Sequence, residues 1–391
     1  MSDSNKIQVS FLREATWGTT PSSAFTEILL TGGSFAQDVQ TIESSTVRSD
    51  AQSAGFKRTA ADAAASFNAE WSAGAFDEFI RGGIRSNADW STAISQSETD
   101  ISFAAPSTIA TAGGNFTSDI VKGDMIYVAS SLTNTNQGWH RVAAVATASI
   151  TVASALIVTE SASTAGTVTI VGRNIQNGST MSSYTLQQQF IDLTNHYLVI
   201  AGARIGSWSI EVAPGSIMTS SFNFAGKSVA AATSKAGNGS VTAAAGNSVM
   251  SEVDSIGSFI VDDAVVTFDV TNFTVNVDAE NRANSGLGNL AKVGIEQGKV
   301  SVTGTIEMYL DDAAWAQLAK LLAFTSFNLT VPWDDGTNRY IVHIPKAFWL
   351  SESGDIPSVN SDKMLSLNFG AEPGGAYTSS NTTKTIAFAK V

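Results

Sequence analysis

Apolar and polar residues alternate along most of the chain in short runs bounded by Gly, Asn and Asp, the period of half-buried β-strands. Phe67, Ala69 and Trp71 alternate with Ser66, Asn68 and Glu70, and Val302, Gly304, Ile306 and Met308 with Ser301, Thr303, Thr305 and Glu307. Tyr184, Leu186 and Phe190 oppose Thr185, Gln187 and Gln189; Trp208, Ile210 and Val212 oppose Ser209 and Glu211; Phe327, Leu329 and Val331 oppose Asn328 and Thr330. Only two stretches carry a helical period. One is short, with Phe76, Phe79 and Ile80 on a face; the other starts at a cap, Asp311 or Asp312, and repeats Trp315, Leu318, Ala319 and Leu322. The pattern predicts a mainly β protein in which each helix lies on the apolar side of a sheet.

The pattern also recurs. Phe35 and Val39 return 238 residues later as Phe273 and Val277, Glu70 returns as Glu307, and Phe76 as Trp315. Further on, Ser183, Tyr184 and Leu186 return after only 143 residues as Ser326, Phe327 and Leu329, and Asn223-Phe224 returns as Asn368-Phe369. The drop implies two tandem copies of one β-rich fold, the first interrupted by about 95 residues. The expected layout is a discontinuous first domain (1–85 and 181–228), an inserted β-domain (86–180) containing a TNTNQG loop at 133–138, and a linker (229–260). A second domain (261–372) and a C-terminal tail (373–391) follow. Long loops at 48–62 and 284–298 fall at matching places, and loops of that length are uncommon without a purpose.

Composition narrows the function. The 391 residues hold no cysteine, so disulfide, zinc-thiolate and thiol chemistry are excluded. The start of the sequence carries no basic-then-apolar secretory pattern. No apolar run approaches the roughly 18 residues of a membrane helix. The expectation is therefore assembly in the cytoplasm with no membrane partner. The net charge of −13 suits neither a phosphate-gripping surface nor sequence-specific DNA binding. Only 15% of residues are charged, against about 25% in ordinary soluble domains. The deficit suggests a surface covered by further copies.

Candidate chemistry is sparse. His140, His196 and His343 share no metal-ligand spacing. The carboxylate pair Asp311-Asp312 reads as a helix cap, and Asp334-Asp335-Gly336 as a hairpin turn; Asp262-Asp263 has no sharper reading. There is no phosphate-cradling glycine loop with a lysine and no nucleophile elbow. No catalytic residue, metal or cofactor is expected. Glu70 and Glu307 stand out because both occupy the polar side of the strand that leads into a helix. They read either as a solvated face or as the lining of a channel that repels a polyanion.

The block FLREATWGTTP, then TIESSTVRSD and SAGAFDEFI, and later GDMIYV…RVAAV and the LTNHYLVIAGARIGSWSIEV stretch, resemble the tail tube protein of long, non-contractile-tailed bacteriophages along nearly the whole chain. The resemblance implies a β-sandwich with a flanking helix whose strands join between copies into one barrel, stacked as a hollow tube in the virion tail. Two folds per chain then imply a trimeric ring with pseudo-sixfold symmetry, the inserted domain projecting outward. The implied partners are further copies of the chain, a tape-measure protein in the lumen, and terminator and tip proteins at the ends. DNA would pass through without specific binding. Expected lumen-facing residues are Asn68, Glu70, Gln187, Glu211, Thr305, Glu307 and Asn328. Arg48, Asp50, Lys57 and Arg58 are expected in a loop that locks one ring to the next. The rival readings are a secreted or surface glycan-binding or adhesin module, a terminator ring or capsid decoration, and a depolymerase.

Overall fold

The computed structural model describes residues 3–90, 93–131, 135–162, 166–252, 256–354, 356, 358–376 and 383–391. Parts of three expected segments lie outside the described residues: 133–134 of the TNTNQG loop, 253–255 of the linker and 377–382 of the tail. A hairpin of β2 (Gly32–Glu43) and β3 (Phe56–Glu70) opens the main sheet. Along β3 the alternation works as expected: Ala61, Ala63, Ala65, Phe67 and Ala69 are buried, whereas Asn68 is exposed and Glu70 half-buried.

From this hairpin the sheet grows one antiparallel strand at a time. β3 pairs with β7 (Thr219–Gly226) and β7 with β6 (Tyr197–Val212). β6 then pairs with β8 (Val270–Asp278), and β8 with β9 (Ser301–Tyr309). Finally β9 pairs with β12 (Met364–Ala371), and β12 with β11 (Arg339–Glu352). The order β2-β3-β7-β6-β8-β9-β12-β11 is one continuous eight-stranded sheet. Its first four strands come from the N-terminal half of the chain and its last four from the C-terminal half. Among the described residues β2 and the end of β11 are its two unpaired edges.

β6 and β11 each carry a bulge, between Ile205 and Ser207 and between Trp349 and Ser351. Beyond the bulge each strand leaves the long sheet for a second layer. There β6 pairs with β5 (Tyr184–Phe190), which pairs with β1 (Ile7–Arg13). In the C-terminal half β11 pairs with β10 (Phe327–Asp334) and with β13 (Ala387–Lys390). A single aromatic-rich core fills the space between the layers of both halves. Burying this much apolar area, at about 25 cal/mol per Å2, is the main stabilising term.

The helices differ. α1 (Asp77–Gly83) is sunk into the core, with Phe79 and Ile80 fully buried. Two glycines permit this. A Cβ on Gly82 would stand 2.2 Å from the Tyr184 hydroxyl, and one on Gly83 would stand 2.3 Å from Trp208 Nε1. α2 (Asp312–Ala323) starts where Asp311 Oδ1 accepts a hydrogen bond from the Ala314 amide at 2.6 Å, and ends at Phe324 in the left-handed region. Its buried positions are Ala314 and Gln317, with Leu318 and Leu321 packed beside them. Of the expected apolar face only Leu318 points inward; Trp315 and Leu322 are exposed.

The segment within the N-terminal half has a core of its own, built from Ile94, Phe103, Ile109, Phe116, Ile126 and Ile170 among others. It is seated on the C-terminal half. Its strand β4 (Val168–Gln176) pairs with β13, Arg141 forms a bidentate ion pair with Asp263 at 2.7 and 3.0 Å, and Met125 packs with Ile341 and Ala389. Residues 387–390, expected within a tail, are thus a buried strand between two sheets. The expected linker is also ordered where described: Ser228–Ala232 extends the outer layer, the Asn247 amide donates to the Ala73 carbonyl, and Met250 is fully buried.

Candidate functional site: the polar face of the long sheet

Successive side chains of a strand point to opposite faces, so one face of the long sheet packs the core and the other is polar. Registers convert that alternation into rows. One row runs Glu70, Thr219, Glu211, Thr274, Thr305, Asn368 and Ser351, crossing seven strands without a break. The row on one side runs Asn68, Ser221, Ser209, Asn276 and Thr303. On the other side Asn272, Glu307 and Ser366 lie together.

The chemistry of this face is uniform. Residues 66–70, 207–212, 219–226, 270–278, 301–309 and 364–371 contain the carboxylates Glu70, Glu211, Asp278 and Glu307 and no Lys or Arg. The neutral groups satisfy one another. Ser34 and Ser66 hydroxyls meet at 2.8 Å, as do those of Ser209 and Ser221. The Asn223 amide donates to Ser207 Oγ at 3.0 Å, Asn368 donates to Ser351 Oγ at 2.9 Å, and the Thr305 hydroxyl donates to Asn368 Oδ1 at 2.7 Å. A face of mutually paired hydroxyls and amides, punctuated by carboxylates, has no cation with which to hold a phosphate backbone.

Five of the residues expected on such a face lie on it: Asn68, Glu70, Glu211, Thr305 and Glu307. Two do not. Gln187 sits on β5 in the second layer, buried, with its side-chain carbonyl accepting from the Ala236 amide at 2.6 Å. Asn328 sits on β10, also in the second layer, where it hydrogen-bonds the turn at Asp262 and Asp263. Alternation assigned each its side of a strand correctly, but it carries no signal for the layer to which the strand belongs. Glu70 and Glu307 are also not matched positions. Glu307 faces Ser366 as Asn68 faces Ser221, so the carboxylates are offset by one row. Thr219, Thr274, Asn272 and Ser366 were missed; their signal is the run of polar residues at every second position without a cation.

Beyond residue 39 the β2–β3 hairpin becomes an arm exposed on both faces, with Val47 and Phe56 open to solvent. Arg48, Asp50, Lys57 and Arg58 all lie on this arm. Arg48 pairs with Asp50 through two hydrogen bonds, at 2.9 and 2.6 Å, which lowers the Asp50 carboxyl from its ordinary value. Its foot rests on the C-terminal half, where Lys292 pairs with Asp62 at 2.5 Å and the Ala61 amide donates to the Leu290 carbonyl.

The junction between the halves is a second site that sequence reasoning missed. Arg85, buried and left-handed at the end of α1, donates to the carbonyls of Gly298 and Ala279 and to Asn281 Oδ1, while Arg204 donates to the Ile295 carbonyl. Burial lowers both guanidinium groups from their usual value, Arg85 further because Arg204 is near. Above them Trp71 meets Trp333 edge-on at 5.8 Å and Tyr340 at 6.0 Å, and the Tyr340 hydroxyl donates to Asp77 at 2.9 Å.

Among the described residues no group of His, Asp and Glu side chains could hold a metal, and no helix is long and apolar enough to cross a membrane. No curated protein matches the chain. Residues 4–371 match the family model described as phage tail tube protein, a span that covers the long sheet, both helices and the inserted segment. With that match along nearly its whole length, the chain belongs to the phage tail tube protein family.

Proposed function

We propose that this structural tail protein closes into a ring of three chains, and that the rings stack into a tube whose lumen is the polar face of the long sheet. The observation that carries the reading is the eight-stranded sheet itself. The polar rows from Glu70 to Ser351 carry no cation and the sheet has an unpaired strand at each end, and sheets with bare edges are completed by further strands or by closure. Each half supplies four strands in the same order, which supports reading the halves as two copies of one tube fold and the ring as pseudo-sixfold. Three chains then contribute 24 strands to the barrel, eight from each.

The function is transport without adhesion. DNA passing along Glu70, Glu211 and Glu307 meets like charge and hydroxyls that are already paired, so no counterion release holds it in place. The arm at residues 39–60 reaches beyond the barrel wall and would contact the next ring. The inserted segment lies in the second layer, away from the polar face, consistent with an outer position on a siphovirus-type tail. A tape-measure protein in the lumen and terminator and tip proteins at the ends complete the assembly, which would form in the host cytoplasm.

Negative-stain microscopy of the purified protein at rising concentration, with rotational averaging of end views, tests this. Hollow tubes with threefold or pseudo-sixfold end views are expected. Single rings that never stack would assign the chain to a terminator, and particles with no central hole at any concentration would end the tube reading.

A further inference from the structure

The chain contains, between its own halves, a finished example of a junction that it leaves open at its two edges. In the N-terminal half the Asn223–Ser207 bond lies just past the β6 bulge, and in the C-terminal half the Asn368–Ser351 bond lies just past the β11 bulge. Ser351 therefore stands where Ser207 does. Following the same rows across each half, Asn223 leads through Ser66 to Ser34, and Asn368 leads through Thr305 to Thr274. Ser34 therefore stands where Thr274 does. At the internal junction Ser207 faces Asp278, four residues beyond Thr274. The residue four beyond Ser34 is Asp38.

Exposed apolar side chains lie at both of these edges. Val212, on the β6 edge, is 8% exposed beside its neighbour Phe273, whereas Ile356, in the segment after β11, is 95% exposed. Phe324 ends α2 in the left-handed conformation in which Arg85 follows α1, and Phe348 precedes its bulge as Arg204 does. The aromatic pair is stacked at 4.7 Å, with Phe348 half-buried and Phe324 open to solvent, at the place where the arginine pair grips the loop of the other half. At the opposite edge the foot of the arm exposes Val39 and Ile42. An arginine pair meets backbone carbonyls inside the chain; an aromatic pair and aliphatic side chains remain outside it.

We propose that the β11 edge binds a second copy of this chain along its β2, with Ser351 facing Asp38 of the next copy and the Phe324–Phe348 pair seated on the foot of that copy's arm. The contact is head-to-tail, so each chain uses both edges and the assembly closes as a ring. It rests on the ring reading given above and adds the edges, the register and the seat.

A chain without cysteine lets single thiols report it. S351C and D38C chains, purified separately, are mixed under assembly conditions and oxidised. The expected result is a disulfide-linked dimer in the mixture and in neither chain alone, and a three-chain covalent species from the double variant. S207C with D278C, the same pair inside the chain, is the geometric control. Assemblies seen by microscopy without this bond, or with the bond formed by Q40C instead of D38C, would overturn the register. S351C chains dimerising alone would overturn the head-to-tail contact. Absence of any assembly would remove the ring reading and this contact with it.

The aromatic seat has its own test. Phe324→Asn keeps a residue that tolerates the left-handed conformation, and Ile42→Glu alters a fully solvated arm. Both are expected to keep the thermal midpoint of the isolated chain and to lose tube formation. Normal tubes from both would overturn the seat.

Discussion

The two helices follow equivalent strands and meet opposite fates. α1 is seven residues long and closed over by Trp71, Tyr184, Trp208 and the far half of the chain, so Phe76 just before it is only 2% exposed. α2 is twelve residues long, better capped and more regular, yet Trp315, the counterpart of Phe76 in the sequence repeat, is 58% exposed. The difference is not one of local propensity, which favours α2. It lies in what covers them: α1 has the C-terminal half, and the Trp315–Leu322 side of α2 has no cover among the described residues. One helix is a core element, and the other leaves Trp315 and Leu322 exposed.

Substitution can break this contrast. The largest effect is expected at α1, where Phe79→Ala should cost about 3–5 kcal/mol by leaving a void among Phe11, Tyr184 and Phe222. Trp315→Ala should change the stability of the isolated chain by less than about 0.5 kcal/mol while impairing assembly. Urea unfolding of both variants checks the pair, and equal losses would mean that α2 is as integrated as α1. Next in size is Arg85→Met, which removes the donors to Gly298 and Ala279 and leaves their carbonyls unpaired at about 1–3 kcal/mol. Hydrogen exchange should then rise across residues 279–298 before the rest of the sheet; uniform exchange would show that Arg85 does not hold this junction.

A smaller effect is expected from pH. Burial pushes the His343 imidazole down to about 3, with the Arg141 charge adding to it. The folded chain therefore refuses a proton that the unfolded chain accepts, and stability falls as pH drops below the ordinary imidazole value of about 6.5. His343→Gln should reduce the loss of thermal midpoint between neutral pH and pH of about 4.5. His140, held down by its own burial, leaves a residual slope. A variant with the full wild-type slope would place the sensitivity elsewhere. The smallest effect on stability is expected from replacing Glu70, Glu211 and Glu307 together by Lys. Thermal midpoints should hold within a few degrees because none of the three sites is buried; DNA ejection from phage carrying the variant should slow, and unchanged ejection would mean that these charges do not govern passage.

Much of the strand pattern was legible because alternation is local. Phe67, Trp208 and Phe369 announce the buried face, and Asn68, Glu211 and Thr305 the polar one, from their immediate neighbours. What was not legible depends on distant partners. The α2 stripe misled because its apolar residues serve two surfaces: Leu318 and Leu321 face the core, while Trp315 and Leu322 face outward. Gln187 and Asn328 obey the right alternation in the wrong layer, a distinction set by the bulges of β6 and β11. The repeat match placed Glu70 on Glu307 because identical residues align, whereas the sheet aligns hydrogen-bonded neighbours and puts Asn68 there. Phe388 and its neighbours are too few to announce a strand, and only the pairing of β13 with both β4 and β11 makes them one.

The bulged strand β6 has a mechanical consequence. Tyr197–Ala203 belongs to the second layer and Ser207–Val212 to the long sheet, so one covalent backbone runs through both. A load that pulls the long sheet away from the second layer is therefore carried along peptide bonds, not only through side-chain contacts that can slide. β11 repeats the tie half a chain later. Each half thus has a sinew at the point where its wall would otherwise peel away from its backing.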